Sequence, residues 1–312
     1  MNYKYLFGPV PSRRLGISLG VDLIPYKTCN FNCIYCESGK TTNLTNERKE
    51  YISSDFIINE LNYYLSTLPE LDFITFSGAG EPTLNSGIGK ILHFIHTNFP
   101  QFKTALITNS ALFADEILRK EIANIDLILP SLDAVSQSVF SKINRSASNL
   151  KSDEIVAGLI EFAKEFRGRI WLEIFIVPGV NDTPEELKLL KEVLQKIQPE
   201  RVQLNTLDRP GTESEIIAAS KVRLEDIAEF FKPSPAEIIA KFKTEKISDE
   251  VPKEAIKTIL DTIQRRPCTK IDLMQMLNIK EIELDSILRK LLYTGTIKTE
   301  SLKRGTFYKI SN

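Results

Sequence analysis

Six short β-rich runs punctuate the first two-thirds of the chain, at residues 20–24, 72–77, 103–108, 126–131, 170–177 and 201–205. Each is apolar enough to be buried on both faces, as parallel strands are. Between them lie stretches of helical periodicity at 55–67, 86–98, 114–122, 153–166 and 184–197. Asp182-Thr183-Pro184-Glu185-Glu186 is a marked helix start, with a capping residue, a first-turn proline and early acids. Strand–helix alternation predicts an α/β fold on a parallel sheet. A closed eight-unit barrel needs about 250 residues, whereas six units precede the change of pattern. The expectation is therefore a partial (β/α)6 barrel of TIM type over residues 1–221.

Several predicted strands end in polar residues: Ser77, Thr108 with Asn109, Ser131 with Asp133, and Asn205 with Thr206. In β/α barrels the C-terminal strand ends form the reactive face. After residue 221 the pattern changes. Two helices are expected at 222–231 and 235–242, separated by Lys232-Pro233-Ser234-Pro235, and then a charged linker at 243–251. Helices follow at 253–264, 270–277 and 282–293. Two strands, 296–300 and 306–310, flank a turn at 301–305. Three helices and a hairpin predict a winged helix. The expected division is a barrel (1–221), a helical linker (222–250) and a winged-helix domain (251–312).

A length of 312 residues suits one large domain with a small module. The composition, 42% hydrophobic and 26% charged, is that of an ordinary globular chain. A net charge of -1 gives no global pull towards nucleic acid or membrane, and no apolar run is long enough to span a bilayer. The N-terminal residues are too few and too mixed for a signal peptide, so a cytoplasmic protein is expected. Residues 251–312 nevertheless hold 12 basic against 7 acidic residues, a different surface from the body.

Three of the four cysteines fall in Cys29-Asn30-Phe31-Asn32-Cys33-Ile34-Tyr35-Cys36. Three thiolates are one short of filling a tetrahedral metal site, and they leave one iron of a 4Fe–4S cube open. A disulfide with a spare thiol fits poorly in a cysteine-poor chain expected in a reducing compartment. Zinc would need a histidine. His93 and His96 are the only two, on a helix whose Ile88, Leu92, Ile95 and Phe99 face the core, so both are expected to face solvent or a neighbouring strand. Iron–sulfur is the better expectation, with zinc left as its rival. Cys268 stands alone in the tail as a small core residue, so no second cluster is expected.

The cysteine run and later segments resemble the radical S-adenosylmethionine (radical SAM) superfamily over about residues 7–210. Ser77-Gly78-Ala79-Gly80-Glu81-Pro82-Thr83-Leu84 is similar to its Gly-Gly-Glu segment, with Ala79 in place of the first glycine. Thr108-Asn109-Ser110 looks like its Thr-Asn-Gly strand end, with the glycine changed. Ser131-Leu132-Asp133, residues 171–182 and Gln203-Leu204-Asn205-Thr206 match its fourth, fifth and sixth strands. The resemblance implies a cluster on Cys29, Cys33 and Cys36. Its open iron would be chelated by the amino and carboxylate groups of S-adenosylmethionine. It further implies cofactor contacts from Tyr35, Gly78, Ala79, Gly80, Glu81, Asn109, Ser131, Asp133, Glu173 and Asn205. Glu173 would reach a ribose hydroxyl, or else sit at the surface of its strand.

One subgroup fits more closely. Phe7-Gly8-Pro9-Val10-Pro11-Ser12-Arg13-Arg14-Leu15-Gly16, with Leu204-Asn205-Thr206 and Arg209-Pro210, is similar to uncharacterised radical SAM iron–sulfur oxidoreductases. These are distantly related to wyosine-base enzymes acting on transfer RNA. Arg13, Arg14, Arg145 and Arg209 either grip an anionic substrate or brace neighbouring acids.

The chemistry so implied starts with one electron from an external donor of flavodoxin or ferredoxin type. Cleavage of S-adenosylmethionine follows, and the 5′-deoxyadenosyl radical takes a hydrogen atom from an unidentified substrate. The tail could hold RNA or DNA through Arg289, Lys290, Lys298, Lys303 and Arg304. It could instead hold a peptide along its hairpin edge, or be a structural cap over a small-metabolite site. A transcriptional iron–sulfur sensor is the alternative class; Gly80-Glu81-Pro82, a methionine-binding segment in the superfamily, argues against it. Nothing in the sequence sets the oligomeric state.

Overall fold

A computed structural model describes residues 3–12, 14–147, 150–209, 211–239, 255–277 and 281–311. The chain opens with an antiparallel pair, β1 (Leu6–Ser12) and β2 (Gly16–Asp22). The cysteine loop follows β2 and carries two short parallel strands, β3 (Thr28–Cys29) and β4 (Asn43–Leu44). Then come α1 (Ser54–Leu65), β5 (Phe73–Ser77), α2 (Ile88–Asn98), β6 (Thr104–Thr108), α3 (Glu116–Glu121) and β7 (Leu127–Pro130). They are followed by α4 (Gln137–Ile143), α5 (Ser152–Glu165), β8 (Arg169–Phe175), α6 (Pro184–Ile197) and β9 (Arg201–Asn205). Last in the body are α7 (Lys221–Phe230) and β10 (Ala236–Ile238).

The main sheet has the order β1-β2-β5-β6-β7-β8-β9-β10. Every pairing from β2 to β10 is parallel. This confirms an α/β fold on a mostly parallel sheet. All four residues of β7 are buried, which explains why these strands read as apolar runs rather than alternating ones. α6 starts where its capping signals predict: the Thr183 side chain accepts from the Glu186 N–H at 3.3 Å, and Pro184 opens the first turn.

Two local expectations are corrected. The helix expected at 235–242 is instead a seventh parallel strand at 236–238; residues 240–242 lie outside the described residues. The free edge of β9 accounts for this. Val202 N–H donates to the Pro235 carbonyl at 2.9 Å and Ile239 N–H to the Leu204 carbonyl at 3.2 Å. The preceding α7 buries Leu224 and Ile227, with Phe231 after it, in the main core, so 221–239 belongs to the body rather than to a linker. The edge strand β1 and the seven-residue α4 have no counterpart among the expected elements. The charged linker expected at 243–251 lies outside the described residues.

The tail comprises α8 (Ala255–Arg265), β11 (Cys268–Thr269), α9 (Lys270–Leu277), α10 (Glu281–Tyr293), β12 (Ile297–Leu302) and β13 (Gly305–Ile310). Its strands pair in the order β11-β13-β12. The hairpin turn is the two residues Lys303-Arg304, shorter than the five expected. Ile259, Ile263, Leu273, Leu284 and Leu288 form a separate core, in which Cys268 is fully buried, as expected. Ion pairs join tail to body. Arg265 pairs with Asp22, Arg304 with Asp208, and Arg209 of the body with Asp272 of α9 at 3.6 Å. Among the described residues no helix is long and apolar enough to cross a membrane.

Candidate active site

The cysteine loop leaves β2 at the C-terminal end of the sheet and is tied down on two sides. On one side it hangs from the end of α4: Asn32 N–H donates to the Asn144 carbonyl at 2.9 Å and Ile34 N–H to the Ile143 carbonyl at 3.0 Å. On the other side it packs against the loop after β5. A Cβ on Gly80 would lie 1.9 Å from the Thr28 carbonyl oxygen, which also accepts from Glu81 N–H at 3.1 Å. Gly80 is thus required by the backbone just before Cys29. Gly78, at φ +141°, abuts the Asp22 carboxylate in the same way. Ala79 is not among the residues of positive φ, which is why an alanine is tolerated there.

Each cysteine sulfur meets a nitrogen donor from a different element. Lys27 Nζ lies 3.1 Å from Cys36 Sγ, Asn144 Nδ2 3.4 Å from Cys33 Sγ, and Asn109 Nδ2 3.6 Å from Cys29 Sγ. Lys27 is buried. Burial alone would push its ammonium down, but the neighbouring sulfurs, Cys36 foremost, more than offset this and shift it up. As free thiols, Cys29 is pushed up to about 12 and Cys33 well above its ordinary value, in both cases chiefly by burial.

This donor set suits a cluster better than a single ion. Among the described residues no three His, Cys, Asp or Glu side chains converge to hold one metal ion. His93 is exposed, and His96 Nε2 sits 3.2 Å from Thr104 Oγ1 of β6, the neighbouring strand. Asn30, next to Cys29, is fully buried, and its Nδ2 has no partner. A cluster sulfide is the kind of acceptor such a donor lacks.

A cavity of about 780 Å³ opens over the strand ends. Of the sequence-predicted residues, Tyr35, Cys36, Gly78, Ser131, Glu173 and Asn205 line it. Tyr35 stacks on Phe175 at 3.9 Å between ring centroids, giving the cavity a flat aromatic wall. Glu173 is neither solvent-facing nor free: it pairs with Arg14 and accepts from Asn205 Nδ2 at 3.0 Å.

Glu81, Asn109 and Asp133 sit behind this wall. Glu81 is buried, and its oxygens are taken by Thr83, by the Thr108 hydroxyl at 2.7 Å and by the Asn109 N–H at 2.8 Å. It therefore braces β5 against β6. Asp133 accepts from the Tyr35 hydroxyl, from Asn144 Nδ2 at 2.9 Å and from Phe175 N–H at 2.9 Å. Burial raises its pKa to about 6 even though these donors pull it down.

The candidate substrate arginines separate. Arg14 and Arg209 line the cavity, whereas Arg145 pairs with Glu213 and is not among the lining residues. Arg13 lies outside the described residues. Sequence reasoning missed Lys27, Asn144 and the tail residues Arg265, Arg266, Asp272 and Met274 of the cavity wall. Only Lys27, two positions before Cys29, carried a local signal.

Comparison with known proteins agrees with this geometry. The radical SAM superfamily profile matches residues 23–190. A protein of Brachyspira hyodysenteriae named GTPase Obg is 34% identical over 99% of this chain; the chain spans only 45% of that protein's length. A UPF0026 protein of Methanocaldococcus jannaschii is 32% identical, over 93% of this chain and 91% of that protein. A probable dual-specificity RNA methyltransferase RlmN 2 of Protochlamydia amoebophila is 28% identical, over 54% of this chain and 48% of its own length. Among solved structures, a radical SAM methyltransferase from Sphaerobacter thermophilus shares the fold. Its TM-score is 0.56 at 19% identity, covering 71% of this chain and 66% of that one. The chain belongs to the radical SAM superfamily and, within it, to the UPF0026 proteins. The superfamily's enzymes use a 4Fe–4S cluster and S-adenosylmethionine.

Proposed function

We propose that Cys29, Cys33 and Cys36 hold the cluster and that S-adenosylmethionine lies along the strand ends between Gly78, Ser131 and Asn205, beside the Tyr35 ring. When bound, the two cofactors supply a 5′-deoxyadenosyl radical that removes a hydrogen atom from a substrate in the cavity. The protein's own work is positioning. Lys27, Asn109 and Asn144 direct N–H groups at the sulfurs. Asp133 fixes Tyr35 and Asn144. Glu81 and Gly80 hold the β5 loop against the cysteine loop, and Glu173 orients Arg14 and Asn205. Electrons come from an external donor. We read the sheet from β2 to β9 as the partial barrel, and residues 255–311 as a winged helix.

The observation that carries this reading is the set of three thiols, each given an N–H donor, of which Cys36 lines the cavity over the strand ends. The test is anaerobic reconstitution. About four irons and four sulfides per chain are expected. They should be lost in Cys29→Ala, Cys33→Ala and Cys36→Ala and kept in Cys268→Ala. Reduction with dithionite should yield 5′-deoxyadenosine from S-adenosylmethionine. Binding without cleavage would instead identify a sensor.

A second reading, an RNA substrate, is favoured by the likeness to RlmN 2 and by the exposed Arg289, Lys298 and Lys303 of the tail. Against it, Arg304 turns inward to Asp208 and Asp272 and is withdrawn from that basic surface.

A further inference from the structure

The cavity over the strand ends has a roof, and the tail supplies it. Arg265, Arg266, Ile271, Asp272, Met274 and Met276 of the tail line the same space as Cys36 and Tyr35. At about 780 Å³ this space is within the range of about 300–1,000 Å³ typical of small-molecule sites. Its wall is unbalanced in charge: five arginines line it against three carboxylates among the described residues. Arg14 answers Glu173. Arg209, Arg265 and Arg304 share Glu37 and Asp272 on the wall, with Asp22 and Asp208 beyond it.

Two of these guanidiniums are incompletely paired. Arg209 is 3% exposed. Its Nη1 meets Glu37 at 3.3 Å and its Nη2 meets Asp272 at 3.6 Å, but its Nε is buried without a partner. Arg265 pairs with Asp22 and stacks over the Phe7 ring at 3.9 Å, and its Nε is likewise buried and unpartnered. Buried N–H donors without acceptors are uncommon, and a guanidinium N–H is best met by an anionic oxygen.

We propose that the roofed end of the cavity is an anion subsite for a small-molecule substrate. A carboxylate or phosphate group accepts from Arg209 and Arg265, and the apolar part of the molecule lies against Met274 and Met276 of α9. The proposal rests on the function given above. It makes the tail a substrate-recognising wall rather than an arm for nucleic acid.

The test uses the anaerobically reconstituted full chain and equilibrium dialysis at low salt, with labelled inorganic phosphate and labelled succinate as probes. Binding of at least one probe is expected, and which one binds separates the two oxyanion chemistries. Arg265→Gln should weaken that binding by about tenfold or more, the loss of a charge-assisted hydrogen bond. Met274→Glu adds a carboxylate to the same wall without touching the ion pairs that join tail to body. It should also abolish binding while leaving the circular dichroism spectrum unchanged. Arg289→Gln, on the exposed face of α10, should bind as the parent does. The proposal is overturned if neither probe binds, if binding follows Arg289 instead, or if S-adenosylmethionine alone displaces the anion. A chain that binds the anion but assembles no four-iron cluster would sink the proposed function and leave the subsite standing.

Discussion

Each thiol in the cysteine loop has at least one N–H donor, Cys29 accepting from the Phe31 N–H at 3.4 Å as well as from Asn109, and the donors differ in strength. Asn144 gives Cys33 a neutral hydrogen bond at 3.4 Å, whereas Lys27 gives Cys36 a buried ammonium at 3.1 Å. Hydrogen bonds to cluster sulfurs favour the more negative, reduced state and so raise the potential. A neutral bond is worth about 1 kcal/mol net and a charged one about 1.5–3. A potential responds only to the difference in bond strength between the two redox states, so for one electron these set upper limits of about 40 mV and about 60–130 mV. In a redox titration followed by electron paramagnetic resonance, Asn144→Leu should therefore lower the midpoint by up to about 40 mV. Lys27→Met should lower it further, with four irons retained in both variants. Unchanged potentials at unchanged iron content would mean that these side chains only fill space.

At the scale of elements, what the sequence made legible was periodic. Runs such as β7 and stripes such as that of α6 carry their burial in their own residues, and their ends fell within a few positions of expectation. The cysteine spacing was equally local. What stayed hidden depends on partners far along the chain. Asn144 reaches Cys33 from 111 residues away. The strand at 236–238 exists because β9 offers a free edge, and its own residues would serve equally well in a helix. β1 carries Pro9 and Pro11, tolerated because it is an edge strand. The glycines were legible as present but not in purpose: Gly80 fits Thr28 of the cysteine loop, where a ligand contact was expected. Gly80→Ala drives a Cβ against backbone that cannot yield. It should cost about 1–3 kcal/mol of stability and reduce iron content after reconstitution. Gly179→Ala meets nothing within 4 Å at φ +76°, so only backbone strain is added and the iron content should be kept. Equal iron in the two variants would mean that the close approach at Gly80 does not position the cysteines.

At the scale of the whole molecule, Asp272 is where tail and body meet. Its oxygens serve Arg209 of the body and Arg304 of the hairpin turn, and accept from the Thr269 N–H at 2.8 Å. Burial would raise its pKa, but Arg209, the Thr269 N–H and Arg304 more than offset this and hold it below the ordinary value. For a carboxyl depressed in the folded state, the stabilisation is present above the unfolded pKa and is lost as pH falls through the folded one. Contact between tail and body should therefore be firm at neutral pH and weaken below about pH 4. Asp272→Asn removes the charge while Arg209 keeps Glu37 and Arg304 keeps Asp208. Its cost at neutral pH should thus be about 1–3 kcal/mol, below that of a buried pair left wholly unmatched. Calorimetric unfolding across the acid range is the check. The parent should lose stability on acidification, and the variant should start lower and lose less. Parallel curves for the two proteins would show that Asp272 does not govern the acid response.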